Sequence, residues 1–220
     1  MVLGHESVDL PPAPDFSLEA RLWNLGFPYV AGIDEAGRGA LAGPVAVGVI
    51  IFPADPKLHT NLSGVNDSKV MSPAQREYWA ERIQASALDS QVGYAQVEEI
   101  DQLGILPAVH LAARRALAAL NVTPGILITD YLELTECPLP HVSLVKGDAR
   151  SLSVAAASIL AKTARDALLS DLGTRYPGYG FEQHKGYGTA AHCAALKRLG
   201  PSRVHRLSFQ PVSDLVSAGG

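Results

Sequence analysis

The stretch YVAGIDEAGRGALAGPVAVGVIIF, residues 29–52, holds two β-branched apolar runs, Tyr29–Asp34 and Val45–Phe52, joined by a glycine-rich link. Such a pair predicts two adjacent strands. The second run is almost continuously apolar, which predicts burial on both faces. Further along, Ser72 as N-cap and Pro73 at the first helical position predict a helix to about residue 87, followed by a third strand near Gln91–Val97. Pro107–Leu120 has apolar groups at helical spacing, and Gly125–Asp130 and Val142–Val145 read as two further short strands. Leu152–Leu172 predicts a long helix, whose Ala155, Ala156, Ala157 and Ala161 let it lie close against a sheet. Three strands in succession, then strands interleaved with helices, predict an α/β domain with a central mixed five-stranded sheet flanked by helices.

Acids stand where these strands end. Asp34 and Glu35 close the first, Asp130 closes the fourth, and Asp148 follows the fifth in Lys146-Gly147-Asp148. A buried, unpaired carboxylate costs several kcal/mol or is neutralised, so each needs a partner unless it simply faces water. Side chains alternate along a strand, so Asp34 and Glu35 can share a site only if the geometry breaks there, with Gly37 and Gly39 permitting the bend and the longer Glu stem able to reach around the strand end. Four carboxylates at neighbouring strand ends can bind two hard divalent cations, Mg²⁺ or Mn²⁺. Taken alone, Asp148 reads equally well as a helix cap.

The 220 residues are 47% hydrophobic and 18% charged, enough for one sizeable core. The net charge of −4 excludes a uniformly basic nucleic-acid coat. The basic residues gather late: residues 175–206 hold six Lys or Arg against one acid, a local +5 that leaves −9 elsewhere. A cationic face beside an acidic body suits a phosphodiester ligand and a carboxylate metal site together. Cys137 and Cys193 make neither a disulfide framework nor a thiolate zinc site. No run is long enough to span a bilayer and no basic leader precedes an apolar block, so a cytoplasmic location is expected. Residues 1–16 and 211–220 read as loosely held tails around a single domain, 17–210, with a helical substrate-binding segment at about 175–210.

Residues 32–39 (GIDEAGRG) with Gly43-Pro44-Val45 closely resemble the opening signature of the bacterial ribonuclease HII family. The resemblance continues through Asn66-Asp67-Ser68-Lys69, Lys146-Gly147-Asp148, residues 155–162 (AAASILAK) with Arg165-Asp166, Tyr179-Gly180-Phe181, residues 184–189 (HKGYGT) and His205-Arg206 with Ser208-Phe209. It implies an RNase H-like fold and metal-dependent endonucleolytic cutting of RNA in RNA–DNA hybrids, or 5′ of ribonucleotides embedded in duplex DNA.

By that resemblance, Asp34, Glu35, Asp130 and Asp148 are the catalytic and metal-holding acids of a two-metal reaction that leaves 3′-hydroxyl and 5′-phosphate ends. Gly37, Arg38 and Gly39 match the turn that senses the ribose 2′-hydroxyl, although a Gly-Arg-Gly sequence alone reads as a hairpin link. Tyr187 matches a tyrosine that packs on the sugar after the ribonucleotide; by itself it reads as a half-buried core residue. Lys69, Lys162, Lys185 and Arg206 are candidate phosphate contacts, each otherwise a solvated charge. Asp166, four residues after Lys162, reads as its helical ion-pair partner. His184, His192 and His205 do not have the spacing of a metal site. A monomer is expected. A replication clamp is a further partner class, although Gln210–Gly220 shows no aromatic-rich docking motif. The competing readings are a metal phosphatase or nuclease of other specificity, and a hybrid-binding module without turnover.

Overall fold

In the computed structural model, residues 10–134 and 137–218 are described. Chain order is α1 (Ser17–Asn24), β1 (Val30–Ala36), β2 (Val45–Ile51), α2 (Leu58–Asn61), α3 (Pro73–Ser86), β3 (Asp89–Ala95), α4 (Val97–Leu103) and α5 (Ile105–Ala118). There follow β4 (Ile126–Asp130), β5 (His141–Leu144), a 3₁₀ turn at Gly147–Ala149, α6 (Leu152–Arg175), α7 (Phe181–His184), α8 (Ala190–Leu199) and α9 (Val212–Ala218).

The apolar run of β2 is buried along its whole length. It pairs antiparallel with β1 on one side and with β3 on the other. Strand β1 pairs parallel with β4, and β4 with β5, giving the order β3-β2-β1-β4-β5. This is the expected mixed five-stranded sheet.

Alternation splits the core in two. Ala31, Ile33, Val47, Val49 and Leu127 meet Ala108, Val109 and Ala112 of α5, while Ile50 shares the opposite face with Leu152, Ala155, Ala156 and Ile159 of α6. Helix α6 lies directly on the strands: a Cβ on Gly48 would collide with the Ala157 carbonyl. The alanine run of α6 thus allows backbone-to-backbone approach rather than supplying bulk. A third apolar cluster, with Leu41, Leu169, Phe181, Leu196 and Val212, fastens the C-terminal helices to the β1–β2 link and to α6.

Several boundaries differ from expectation. Ser72 does cap α3, with Gln75 completing a capping box, but β1 stays paired through Ala36, two residues beyond Asp34. Strand β3 starts at Asp89 because it pairs as far as Ile51, and Val97 already opens α4. The tails are shorter than composition suggested. Phe16 is buried against Phe52, Leu152 donates its N–H to the Asp15 carbonyl, and Val212 is fully buried at the start of a helix. A single apolar side chain at each end supplies the docking that a polar, proline-rich average conceals. Residues 1–9 and 219–220 of those tails lie outside the described residues. No helix among the described residues is long and apolar enough to cross a membrane.

Candidate active site

Strands β1 and β4 run side by side in the same direction, with Ile33 opposite Thr129, so the next rung brings Asp34 beside Asp130 at their shared C-terminal end. The fold therefore creates the cluster, since parallel neighbours end on the same side of the sheet. Asp34 lies on the α6 face, where its carboxylate accepts from the Ser158 hydroxyl and from the Glu35 N–H (2.8 Å). The Asp130 carboxylate accepts from the Gly147 N–H at 2.8 Å, which holds the turn carrying Asp148 against the end of β4. Lys69 Nζ donates to Asp148 Oδ2 at 2.9 Å, and Arg38 donates to Glu35 Oε1 at 3.1 Å.

The backbone does not break between Asp34 and Glu35, contrary to expectation. Ladder pairing continues through Glu35 opposite Val47 and Ala36 opposite Ala46, and the bend falls at Gly37, whose φ is 90°. The longer Glu stem, the other expected device, carries the second carboxylate around the strand end without a break between the two acids. A side chain at Gly37 would also land on the Arg165 guanidinium, so this position needs glycine for conformation and for space.

Electrostatics identify the acids as one group. Burial, then the charges of Glu35 and Asp130, push the Asp34 carboxyl well above its ordinary range. Burial, with smaller contributions from Asp148 and Glu35, raises Asp130 against the pull of the Gly147 N–H and Lys69. Partial burial works against the Lys69 ammonium, yet its bond to Asp148 and the charges of Asp34 and Asp67 hold it above the usual lysine range. Glu35 Oε2 is buried without a hydrogen-bond partner. Among the described residues, no three such groups close to the spacing of a single ion's shell. Gly147, Lys69 and Arg38 each bond one of these acids, Asp130, Asp148 and Glu35 in turn. An all-oxygen donor set with an orphaned buried carboxylate oxygen suits hard divalent cations that keep much of their water.

The other candidates separate into two groups. Lys69 stands beside the acids on a loop gripped by Arg76, which donates to the Ser68 and Met71 carbonyls and to Asp166. Lys162 bonds the other Asp166 oxygen at 2.8 Å and lies 5.3 Å from the centre of the half-exposed Tyr187 ring. The Lys185 ammonium donates to Ser170, so its availability to a phosphate depends on releasing that bond.

Arg206 is a correction. Its side chain is fully buried, and Nε, Nη1 and Nη2 donate to the carbonyls of Gly43, Arg38 and Gly37 at 3.0, 2.8 and 2.8 Å. Instead of meeting phosphate, it holds the Gly37–Gly39 turn from behind. Arg165, equally buried, does the same for Ala42, Pro44 and Lys185. Burial and then the charge of Arg165 bring the Arg206 guanidinium down to about 9. Arg165, Ser158 and Arg76 were not singled out as site residues from sequence; the first two recur at helical spacing on the face of α6 that carries Lys162, a periodicity that could have flagged them.

The fold and the acids at its strand ends define a metal-dependent nuclease with an RNase H-like fold. A family model described as ribonuclease HII matches residues 31–212. A ribonuclease HII from Synechococcus sp. (strain JA-3-3Ab) is 50% identical over 214 residues, covering 96% of this chain and 95% of the relative. Ribonuclease H2 from Pyrococcus horikoshii OT3 superposes with a TM-score of 0.73 at 26% identity, covering 86% of this chain and 98% of that one. RNase HII from Archaeoglobus fulgidus, solved in a complex with PCNA, gives 0.71 at 29% identity, covering 84% and 96%. The chain belongs to the ribonuclease HII family: it is a metal-dependent endonuclease that acts on RNA–DNA hybrids.

Proposed function

We propose that this enzyme also cuts duplex DNA on the 5′ side of a single embedded ribonucleotide, leaving 3′-hydroxyl and 5′-phosphate ends. The observation that carries this reading is the Gly37–Gly39 turn. It leaves β1 two residues after the acids, and among the described residues no protein acceptor pairs with the N–H groups of Arg38 or Gly39. Backbone groups at a glycine turn come close enough to meet a 2′-hydroxyl, the one group that distinguishes ribose from deoxyribose.

Asp34, Glu35, Asp130 and Asp148 would hold two divalent cations, Mg²⁺ or Mn²⁺, whose chemistry there is activation of water and stabilisation of a leaving 3′ oxygen. Ser158 orients Asp34, and the Gly147 N–H orients Asp130. Lys69 and Lys162 supply positive charge to the scissile backbone, Lys185 does so once freed from Ser170, and Arg38 faces the substrate from the turn. Tyr187, paired with Ala40 of the turn's exit, packs on the neighbouring sugar. The catalytic unit is residues 17–210 together with the docked Asp15, Phe16 and Val212, with 175–210 contacting the duplex. A monomer in the cytoplasm is proposed, and the PCNA-bound relative supports a replication clamp as a partner.

The test is a duplex bearing one ribonucleotide, incubated with and without Mg²⁺, its ends mapped. Cutting 5′ of that nucleotide only with metal is expected; an intact duplex beside a cleaved continuous hybrid rejects the proposal. Two further outcomes follow. Mg²⁺ or Mn²⁺ should raise the melting temperature by relieving repulsion among the acids, with a shift of about 2.7 kcal/mol at a hundredfold excess over Kd; a flat melting temperature across the titration contradicts the site. Tyr187→Ala should cut the single-ribonucleotide duplex roughly tenfold more slowly while sparing the continuous hybrid, since stacking of this kind contributes about 1–3 kcal/mol.

A further inference from the structure

Three segments lie side by side behind the recognition turn. Leu41 donates its N–H to the Gly186 carbonyl, Gly43 donates to Val204, and Arg206 donates back to Leu41, at 2.8, 2.8 and 2.9 Å. Isolated bridges pair Ala40 with Tyr187 and Ala42 with His205. The exit of the turn is thus the middle of three strand-like pieces, with Tyr187 on one outer piece and His205 on the other.

The outer pieces are joined by two buried imidazoles whose bonds admit one proton arrangement with both rings neutral. Ser202 donates its N–H to His205 Nδ1 at 3.0 Å, so that nitrogen bears a lone pair and Nε2 bears the proton. His192 Nδ1 faces the Tyr187 carbonyl at 2.9 Å and must donate, leaving its Nε2 to accept. The two Nε2 atoms stand 3.1 Å apart, and the His205 proton fits between them. Bonds therefore run one way, from Ser202 through His205 and His192 to the Tyr187 carbonyl, and both rings are neutral.

We propose that His192 and His205 are positioning residues for substrate recognition, whose neutral hydrogen-bond chain fixes the Tyr187 main chain against the Gly37–Gly39 turn and thereby sets the preference for a single embedded ribonucleotide. The proposal rests on the role given to Tyr187 above. An added proton disrupts the chain: on His192 Nε2 it faces an N–H across 3.1 Å, and on His205 Nδ1 it displaces the Ser202 N–H and must turn to the Ser202 hydroxyl at 2.8 Å. The titratable groups around the pair are His184 of α7, stacked on His192 with ring centres 4.3 Å apart, and Tyr179, whose hydroxyl donates to the Gly200 carbonyl. Arg206, next in the chain, is committed to the turn's carbonyls. Among the described residues no carboxylate bonds or stacks on either ring.

Burial, then the neighbouring His192, brings His205 down to about 4, and burial also lowers His192. These are bases with depressed folded values, so the stability they lend is complete above the ordinary histidine value of 6.5 and is lost as pH falls toward about 4.

The experiment measures kcat/KM for a single-ribonucleotide duplex and for a continuous hybrid from pH 8 to below 4, using the ratio so that protonation of the shared catalytic acids cancels. Imidazole ¹⁵N NMR of the wild-type enzyme is recorded alongside. The ratio should hold from pH 8 down to about pH 5 and fall several-fold only as pH approaches and passes about 4, the value to which burial brings His205. It should be low and pH-independent in His192→Phe, and partly restored in His192→Asn, whose amide can still donate to Tyr187. NMR should show His205 protonated on Nε2 and His192 on Nδ1. The opposite tautomers in wild type, or a His192→Phe ratio equal to wild type while Tyr187→Ala lowers it, overturns the chain alone. An unchanged ratio in Tyr187→Ala overturns both it and the reading of Tyr187.

Discussion

Asp130→Asn is expected to slow hybrid cleavage by at least ~10²–10³-fold, the scale on which removal of one charge-stabilising group acts, while substrate affinity stays near wild type. Asn keeps the shape of the side chain and an oxygen to accept the Gly147 N–H now bonded at 2.8 Å, so the turn bearing Asp148 keeps its place. Only the charge is lost. Because burial, Asp148 and Glu35 raise Asp130, its charged form is disfavoured in the fold, and stability from this group falls as pH rises through its folded pKa. The variant should therefore melt higher than wild type without divalent metal at neutral pH, and gain less from added Mg²⁺. Single-turnover cleavage, hybrid binding by anisotropy and melting with and without metal make three independent readings. Near-wild-type cleavage, or a lower metal-free melting temperature, contradicts the placement of Asp130 at the reacting centre.

The sheet was legible because its signals are local. Val45–Phe52 is too apolar and β-branched to be anything but an interior strand, and Ser72-Pro73 marks a helix start through chemistry confined to four residues. What escaped was decided by partners distant in sequence. Nothing near Ala36 says that β1 pairs as far as Ala46, and nothing near Val212 says that a pocket between Leu41, Phe181 and Leu196 awaits it. The helices missed, α1 and α4 among them, are short and bury only a few residues each, so periodicity is weak over their length.

The acids were legible for the same reason as the strands: a carboxylate at the end of a buried run is conspicuous. The cations were not. Lys69 and Arg206 read alike in sequence, one more basic residue each, yet the first stands at the surface beside Asp148 and the second is sealed beneath the turn. Only burial distinguishes a charge aimed at a ligand from one spent on the protein's own carbonyls, and burial is a property of the assembled fold.

That difference makes Arg206→Lys an expected loss of both stability and ribose selectivity, despite conserving charge. The guanidinium fork reaches three carbonyls at once, and a lysine ammonium on a longer, unforked stem cannot span Gly37, Arg38 and Gly43 together. Leaving buried carbonyls unmatched costs about 3–5 kcal/mol by the measure of broken buried charged contacts, or roughly 6–20 °C in melting temperature for a chain of this size. The functional effect follows from peptide geometry. In a trans peptide the carbonyl and the following N–H point in opposite directions. Drawing the Gly37 and Arg38 carbonyls inward therefore turns the N–H groups of Arg38 and Gly39 outward, toward an incoming sugar. Freed carbonyls let those planes rotate, and a misplacement on the ångström scale costs about 10²-fold in rate on ribose-bearing substrate. Arg38→Lys, altering an exposed side chain and not the main chain behind it, should leave the melting temperature unchanged within error. Equal melting and equal ribose selectivity in Arg206→Lys and wild type would mean that the turn holds its shape without the arginine, and that its glycines alone orient the donors.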